Sequence, residues 1–331
     1  MPLASATAAI APAACTAELL AVPEGYRDTQ VDGGDTSGRY LTGTAQRDGS
    51  SVPVVWDNGI VMPLSLPATS LAPIANEHGV FAGSHQFAGS NQGTAWVYRN
   101  GKFTTLPQPP GGVFYRPVAI NNKGQIVGAG PGPTKGQTGQ PPLIWGASNT
   151  IEAVADRSFM VRGIDDDGTV IGQENFREYP GDLHGLIWRP GKTVTDLPAP
   201  PGVGKAAGLS IRDGWVGGAI AHRTPNEAPL KPLIFHLGTG QSIPLPPEVV
   251  SVEDVNRRGW AAVNLTGASA GSTKAGLLAE GTLLRLPELA ATGPRDSVSV
   301  RSISDDGRVI SGVIDYNTDV PQTQSVRWLC R

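Results

Sequence analysis

Along this chain, short apolar runs alternate with polar turns, and the turns recur at a nearly fixed spacing. An apolar residue, a polar turn ending in Gly, and a second apolar run appear as Ile74-Ala75-Asn76-Glu77-His78-Gly79, Ile120-Asn121-Asn122-Lys123-Gly124 and Ile164-Asp165-Asp166-Asp167-Gly168. Weaker copies end at Gly38, Gly214, Gly259 and Gly307, so successive Gly residues are 41, 45, 44, 46, 45 and 48 residues apart. Each copy leads into a β-type run such as Gln125-Ile126-Val127 or Thr169-Val170-Ile171. Asn and Asp accept hydrogen bonds from nearby backbone and Gly takes positive φ, so these phrases predict tight hairpins.

A second phrase follows each first one after a longer gap: an apolar strand core, a tight turn and another strand. Trp56 precedes Asp57-Asn58-Gly59, Tyr98 precedes Arg99-Asn100-Gly101, and Trp188 precedes Arg189-Pro190-Gly191. The equivalent landmarks elsewhere are Trp145, Phe235, Leu278 and Trp328, and the strand after the turn often ends in an apolar-Pro pair such as Leu106-Pro107, Leu197-Pro198 or Leu286-Pro287. Each unit of about 45 residues therefore holds four short strands, the signature of a β-propeller blade. Seven turns and seven landmarks predict an all-β, seven-bladed β-propeller of four-stranded blades. The last unit stops just after Trp328, so the N-terminal strand is expected to complete the last blade and close the ring. Val22-Pro23 is matched to Leu106-Pro107, which places that strand at Glu18 to Val22.

Composition agrees. The 331 residues include 43 Gly and 29 Pro, which helix interiors tolerate poorly. Charged residues are 17% and the net charge is −3, with no Lys/Arg-rich run, so the electrostatic footprint of a nucleic-acid binder is missing. No apolar run reaches the roughly 18 residues needed to span a bilayer. Residues 1–14 are mostly Ala, Pro, Ser and Thr and read as a spacer after a removed secretion signal, leaving 15–331 as a single propeller domain. A lipoprotein reading of Pro12-Ala13-Ala14-Cys15 competes, but Pro12 stands where such sites usually carry an aliphatic residue.

The chain has two cysteines. Matching Trp328 to Tyr98 puts Cys330 in the turn position of Asn100, and Cys15 falls at the same turn from the other side. A Cys15–Cys330 bridge would replace the turn this blade lacks. In the chain-entropy model, closing so long a loop stabilises by roughly 4–5 kcal/mol, less any strain. A persistent bridge points to an oxidising, extracellular location.

The wording Ala119-Ile120-Asn121-Asn122-Lys123-Gly124-Gln125-Ile126-Val127-Gly128, with His184-Gly185-Leu186-Ile187-Trp188, resembles the bacterial extracellular HAF-type repeat. The resemblance extends loosely over residues 28–331. The family's His position is met only by His184; elsewhere it holds Val52, Thr94, Pro141 or Lys231. The resemblance implies a secreted propeller and brings no catalytic residues.

The connections between strands one and two, and between three and four, are short hairpins. The two-to-three and most inter-blade loops are long, and in a propeller they share one face. Function tends to sit on loops held by a rigid scaffold, so this looped face is the expected site. It carries Phe87, Tyr115, Arg116, Arg157, Phe176, Arg177, Tyr179, Arg223 and Tyr316. Aromatics beside Arg suit stacking on a sugar or gripping a protein loop, although each ring alone would equally serve as packing over the core.

Catalytic and metal signals are weak, and no cofactor is expected. Gly267-Ala268-Ser269-Ala270-Gly271 matches a nucleophile elbow in letters, but it lies in a strand-to-strand loop where an elbow needs a helix. Asp165-Asp166-Asp167 and Asp305-Asp306 occupy the repeat's hairpin turn, where other copies carry Asn122-Lys123 or Arg257-Arg258, so they read as turn residues rather than a calcium site. The His residues lack ligand-like spacing. Asn264-Leu265-Thr266 fits a glycosylation acceptor. The expectation is a secreted, non-enzymatic binding module for a glycan or a secreted or cell-surface protein, including a role as subunit of a secreted assembly. The alternative is a propeller lyase or hydrolase with its site at the central channel mouth.

Overall fold

A computed structural model describes residues 11–47, 50–64, 73–86, 93–111, 113–131, 139–175, 183–220, 231–269, 271–289, 292–293, 295–317 and 322–331. Its strands form seven antiparallel sheets, each ordered from an inner strand outward, and no helix occurs among the described residues. The inner strands of blades one to seven are Asp28–Gly34, Ile74–Ala75, Arg116–Ile120, Met160–Ile164, Ala206–Arg212, Val249–Val255 and Ser297–Ile303. Six sheets have four strands. Blade five has three, its outer position reduced to the single bridge between Phe235 and Ser242. The seven-bladed propeller read from the repeats is the fold of this chain.

Middle strands such as Leu143–Trp145 are buried on both faces, and their side chains meet those of the neighbouring sheets. Ile171, Ile187 and Leu197 of blade four pack on Ala206, Ile211, Val216 and Phe235 of blade five. Stacked twisted sheets bury side chains in this face-to-face way. The tryptophan landmarks add a polar tie. Trp56, Trp145 and Trp328 are buried, and their Nε1 groups donate to Ala21 O (2.7 Å), Pro107 O (2.7 Å) and Pro287 O (2.9 Å) at the end of the preceding blade.

The ring closes in blade seven, where Cys15–Leu19 pairs antiparallel with Gln322–Cys330. The closing strand thus begins earlier than the expected Glu18 to Val22. Leu20 is the residue that plugs the core, 3% exposed, whereas Val22 is 40% exposed, so Leu20-Ala21 corresponds to Leu106-Pro107. Trp56 confirms this register by taking the carbonyl of Ala21 as Trp145 takes that of Pro107. Cys15 and Cys330 are directly opposed in this pairing and are disulfide-bonded, where blade two has the Asn100-Gly101 turn.

One irregularity repeats around the ring. The pairing of strands one and two slips by a residue in six blades, leaving Asp32, Val118, Arg162, Leu209, Glu253 and Arg301 unpaired in the inner strands. All six line a cavity of about 260 Å³ to which all seven blades contribute, the central channel. A bulge turns one extra side chain out of the ladder, and here it turns it inward. The opposing strand answers with glycine. A Cβ on Gly43, Gly172, Gly218 or Gly312 would stand 2.0, 2.3, 1.9 or 2.2 Å from the carbonyl oxygen of Gln30, Met160, Ala207 or Ser299, each two residues before a bulge. The strand-two glycine of these four blades is therefore the partner of a channel-lining bulge.

Candidate functional site: the channel mouth

The turns joining strands one and two crown one end of the channel. Each full turn closes with a Gly N–H donating to the carbonyl three residues earlier, as in Gly79 to Asn76 and Gly124 to Asn121. The first turn residue caps its own hairpin: Asn76 Oδ1 accepts from His78 and Val80, and Asn256 Oδ1 from Arg258 and Trp260. Its amide reaches the next blade. Asn76 Nδ2 donates to Asn121 O (3.0 Å), Asn121 Nδ2 to Asp165 O (2.9 Å) and Asn256 Nδ2 to Ser304 O (3.1 Å). In blade four Asp165 accepts instead, from the N–H groups of Asp213 and Gly214 at 2.8 Å each. Asp305 N–H donates to Thr36 O at 2.7 Å, tying blade seven to blade one. The Asn/Asp residues of the repeat are thus inter-blade fasteners as well as turn formers. The carboxylates once weighed as calcium ligands are engaged this way, with Asp166 accepting from Asn122 N–H and Asp167 from Thr169 N–H, both at 2.8 Å.

The second turn residues stand around the opening. On the side of blades one to three they close on one another: Thr36 Oγ1 donates to Glu77 Oε2 (2.8 Å), and Asn122 Nδ2 to Thr36 Oγ1 (2.9 Å). Towards blades four to seven the mouth opens into a cavity of about 510 Å³. Glu77, Asp165, Asp166, Asp167, Asp213 and Asp305 face Arg189, Arg212 and Arg257 there, beside His236. Acid outnumbers base two to one. Asp305 sits within 4.0 Å of Arg212 Nε and 3.7 Å of Arg257 Nε. Burial raises its pKa, Arg212 and Arg257 pull it back, and Asp166 raises it again. Below, Asp254 accepts from Val255 N–H (2.9 Å) and Ile303 N–H (3.0 Å). Burial nevertheless lifts its pKa to about 6, against the pull of Arg212. Among the described residues no cluster of three or more His, Cys, Asp or Glu is arranged to hold a metal.

On the looped face, the expected residues do not converge among the described ones. Phe87, Phe176, Arg177, Tyr179 and Arg223 lie outside the described residues. Tyr115 is 3% exposed and packs with Leu106, Ile126 and Trp145, so its ring is core. Arg116 is exposed at the start of the blade-three inner strand, and Arg157 pairs with Glu174 at 2.8 Å. The Tyr316 hydroxyl donates to Gln324 Oε1 (3.1 Å), and its ring borders a separate cavity of about 500 Å³ with Ser272, Arg295 and Asp315. Ser269 lies in the connection between strands Ala261–Thr266 and Thr273–Ala279, where Ser272 N–H donates to its carbonyl. Sequence reasoning missed Arg162, Arg212, Asp254 and Arg301 because it looked to long loops. The available signal was position: all four stand two to six residues ahead of a turn Gly, on an inner strand.

No family model matches the chain, and no curated protein matches it significantly. Solved structures do share its fold. The β-propeller domain of the Trilobed protease from Pyrococcus furiosus is 12% identical, with 90% of this chain and 95% of that one covered and a TM-score of 0.64. An acylaminoacyl peptidase from Pyrococcus horikoshii is 10% identical over 90% of this chain, with a TM-score of 0.61, and a puromycin-hydrolyzing peptidase from Mycobacterium tuberculosis is 12% identical over 97%, with a TM-score of 0.54. The chain spans 50% and 55% of the length of those two peptidases. The Trilobed protease propeller is described as having an open velcro topology, whereas here a paired strand and a disulfide close the ring. The expectation of a non-enzymatic glycan- or protein-binding module is corrected by these likenesses: the similar propellers come from peptidases.

Proposed function

We propose that this chain is the substrate-handling propeller of a hydrolase that acts on peptides, working at the channel mouth on the short-turn face. The observation that carries the reading is the mouth cavity, in which six carboxylates face three guanidiniums at the entrance to a channel lined by all seven blades. Its volume falls in the range of small-ligand sites, roughly 300–1,000 Å³. A field of this sign, set in a concave low-dielectric wall, draws in and orients the ammonium of a peptide N-terminus or a Lys side chain. Asp166 and Asp213 are the contacts we assign to it. Asp305, held between Arg212 and Arg257, fixes the far wall. The fold likeness to peptidase propellers supports a peptide rather than another cation. Because the chain spans about half of two such peptidases, the bond-breaking groups are assigned outside this propeller. The disulfide and the HAF-type wording support export to an oxidising compartment.

A fluorescent tetrapeptide amide with a free N-terminus tests the reading by anisotropy. It should bind at low salt, weaken as salt rises, and bind several-fold more weakly to the Asp166→Asn variant, while Arg116→Ala on the looped face leaves it unchanged. Equal binding of the N-acetylated peptide refutes the assignment.

A further inference from the structure

The six bulge residues place a pattern of side chains around one level of the channel. Arg301 of blade seven stands next to Asp32 of blade one, whose carboxyl it stabilises in the charged form against burial. Glu253 of blade six accepts from Ser251 Oγ (2.6 Å) and from Asn264 Nδ2 (2.9 Å) within its own blade. Arg162 of blade four differs from both. The bulge positions on either side of it carry Val118 and Leu209, and no hydrogen bond or ion pair to a described residue engages its guanidinium. The side chain is exposed to the channel, yet burial alone shifts its pKa, downward, with no carboxylate pulling the other way. An Arg fork with apolar neighbours and no internal partner is free to take a carboxylate in a bidentate pair.

We infer that Arg162, flanked by Val118 and Leu209, binds the C-terminal carboxylate of a short peptide whose last side chain is apolar. The inference rests on the peptide reading of the mouth, and it adds direction and length. From Arg162 the chain runs two residues to the strand end at Ile164 and two more into the turn at Asp166, a reach of at most about 14 Å. An extended peptide of about four residues covers that span. Such a peptide enters carboxylate first, pairs its end with Arg162 in a bidentate contact, lays its last side chain on Val118 and Leu209, and leaves its ammonium among the mouth carboxylates. Peptides much longer than this, or with amidated ends, lose one of the two charged contacts.

The test uses the full chain and calorimetry or ligand-observed NMR, with N-acetyl-leucine, N-acetyl-leucinamide and acetate as probes. The native protein should bind N-acetyl-leucine about tenfold or more tightly than the amide, as expected for a charge-assisted pair. It should bind acetate more weakly than N-acetyl-leucine. Arg162→Gln should abolish the carboxylate preference, and Arg162→Lys should keep part of it because a point charge replaces the fork. Unchanged thermal unfolding of both variants shows that the fold is intact. No preference in the native protein, or the same preference in Arg162→Gln, overturns the inference. The amidated tetrapeptide separates it from the mouth reading. If that peptide binds and its free acid gains nothing, the Arg162 subsite falls and the mouth reading stands. If the amide fails to bind while N-acetyl-leucine still depends on Arg162, the subsite stands and the mouth reading falls.

Discussion

Replacing Gly43 by Ala should be among the most damaging single-methyl additions to this protein. A Cβ at Gly43 would lie 2.0 Å from Gln30 O and 2.9 Å from both Gln30 C and Val31 Cα. Ordinary carbon–oxygen contact needs more than about 3 Å, so the backbones must part by about 1 Å or more, since no flexible side chain is available to yield. Overpacking usually costs about 1–3 kcal/mol, and a backbone-limited case belongs at the upper end. For a domain of this size, about 3 kcal/mol corresponds to a fall in Tm of about 4 °C. Gly33, next to the same bulge, is the control: a Cβ there meets nothing within 4 Å and its φ is not positive. Gly33→Ala should leave stability within about 0.5 kcal/mol or raise it slightly by restricting the unfolded chain. Urea unfolding of the two variants beside the native protein measures both values. If Gly43→Ala costs less than about 0.5 kcal/mol, or Gly33→Ala costs as much, the pairing of strand-two glycines with channel bulges is wrong.

Three further outcomes follow from the structure. Cys15→Ser/Cys330→Ser should lower stability by up to about 4 kcal/mol, with hydrogen exchange rising first in strand Cys15–Leu19, because only that pairing loses its covalent tie. Trp145→Phe should cost about 1–3 kcal/mol by losing the bond to Pro107 O and some volume, read as a lower urea midpoint. Asp254, with its pKa raised to about 6, binds its proton more tightly in the fold than in the unfolded chain, so its contribution favours the fold at low pH and fades as pH rises from about 4 to about 6. That fall, at most about 3 kcal/mol and less where channel water reaches the carboxyl, should be missing from the Asp254→Asn stability–pH profile.

The blade count and the closing strand were legible because they depend on local signals. A turn Gly at φ 69–86° and an aromatic or Leu landmark mark each repeat whatever its neighbours do. The register of the closing strand was not, since Val22-Pro23 and Leu20-Ala21 differ only in which one meets a partner from another blade, and the carbonyl of Ala21 is chosen by Trp56. The grouping of side chains at the channel mouth was not legible for a related reason. Loop length marks where a scaffold can vary, but Asn122, Asp166 and Asp305 sit in the shortest connections and line one cavity only because the turns are brought around one axis. Arg162 was invisible as a channel residue because strict alternation gives every second side chain to the same face. The bulge breaks that alternation, and it can be found only from pairing.

The inner bulges separate two jobs that most folds combine. The glycines opposite them answer to the backbone alone, and they recur as Gly43, Gly172, Gly218 and Gly312. The bulge residues answer to nothing in the ladder, and they are acidic, basic and aliphatic in turn: Asp32, Val118, Arg162, Leu209, Glu253, Arg301. Four blades thus offer a socket whose shape is set by one residue and whose content is set by another. A lineage of such proteins can rewrite the inside of its channel one blade at a time, exchanging charge for grease or one sign for the other, without repacking a single sheet interface.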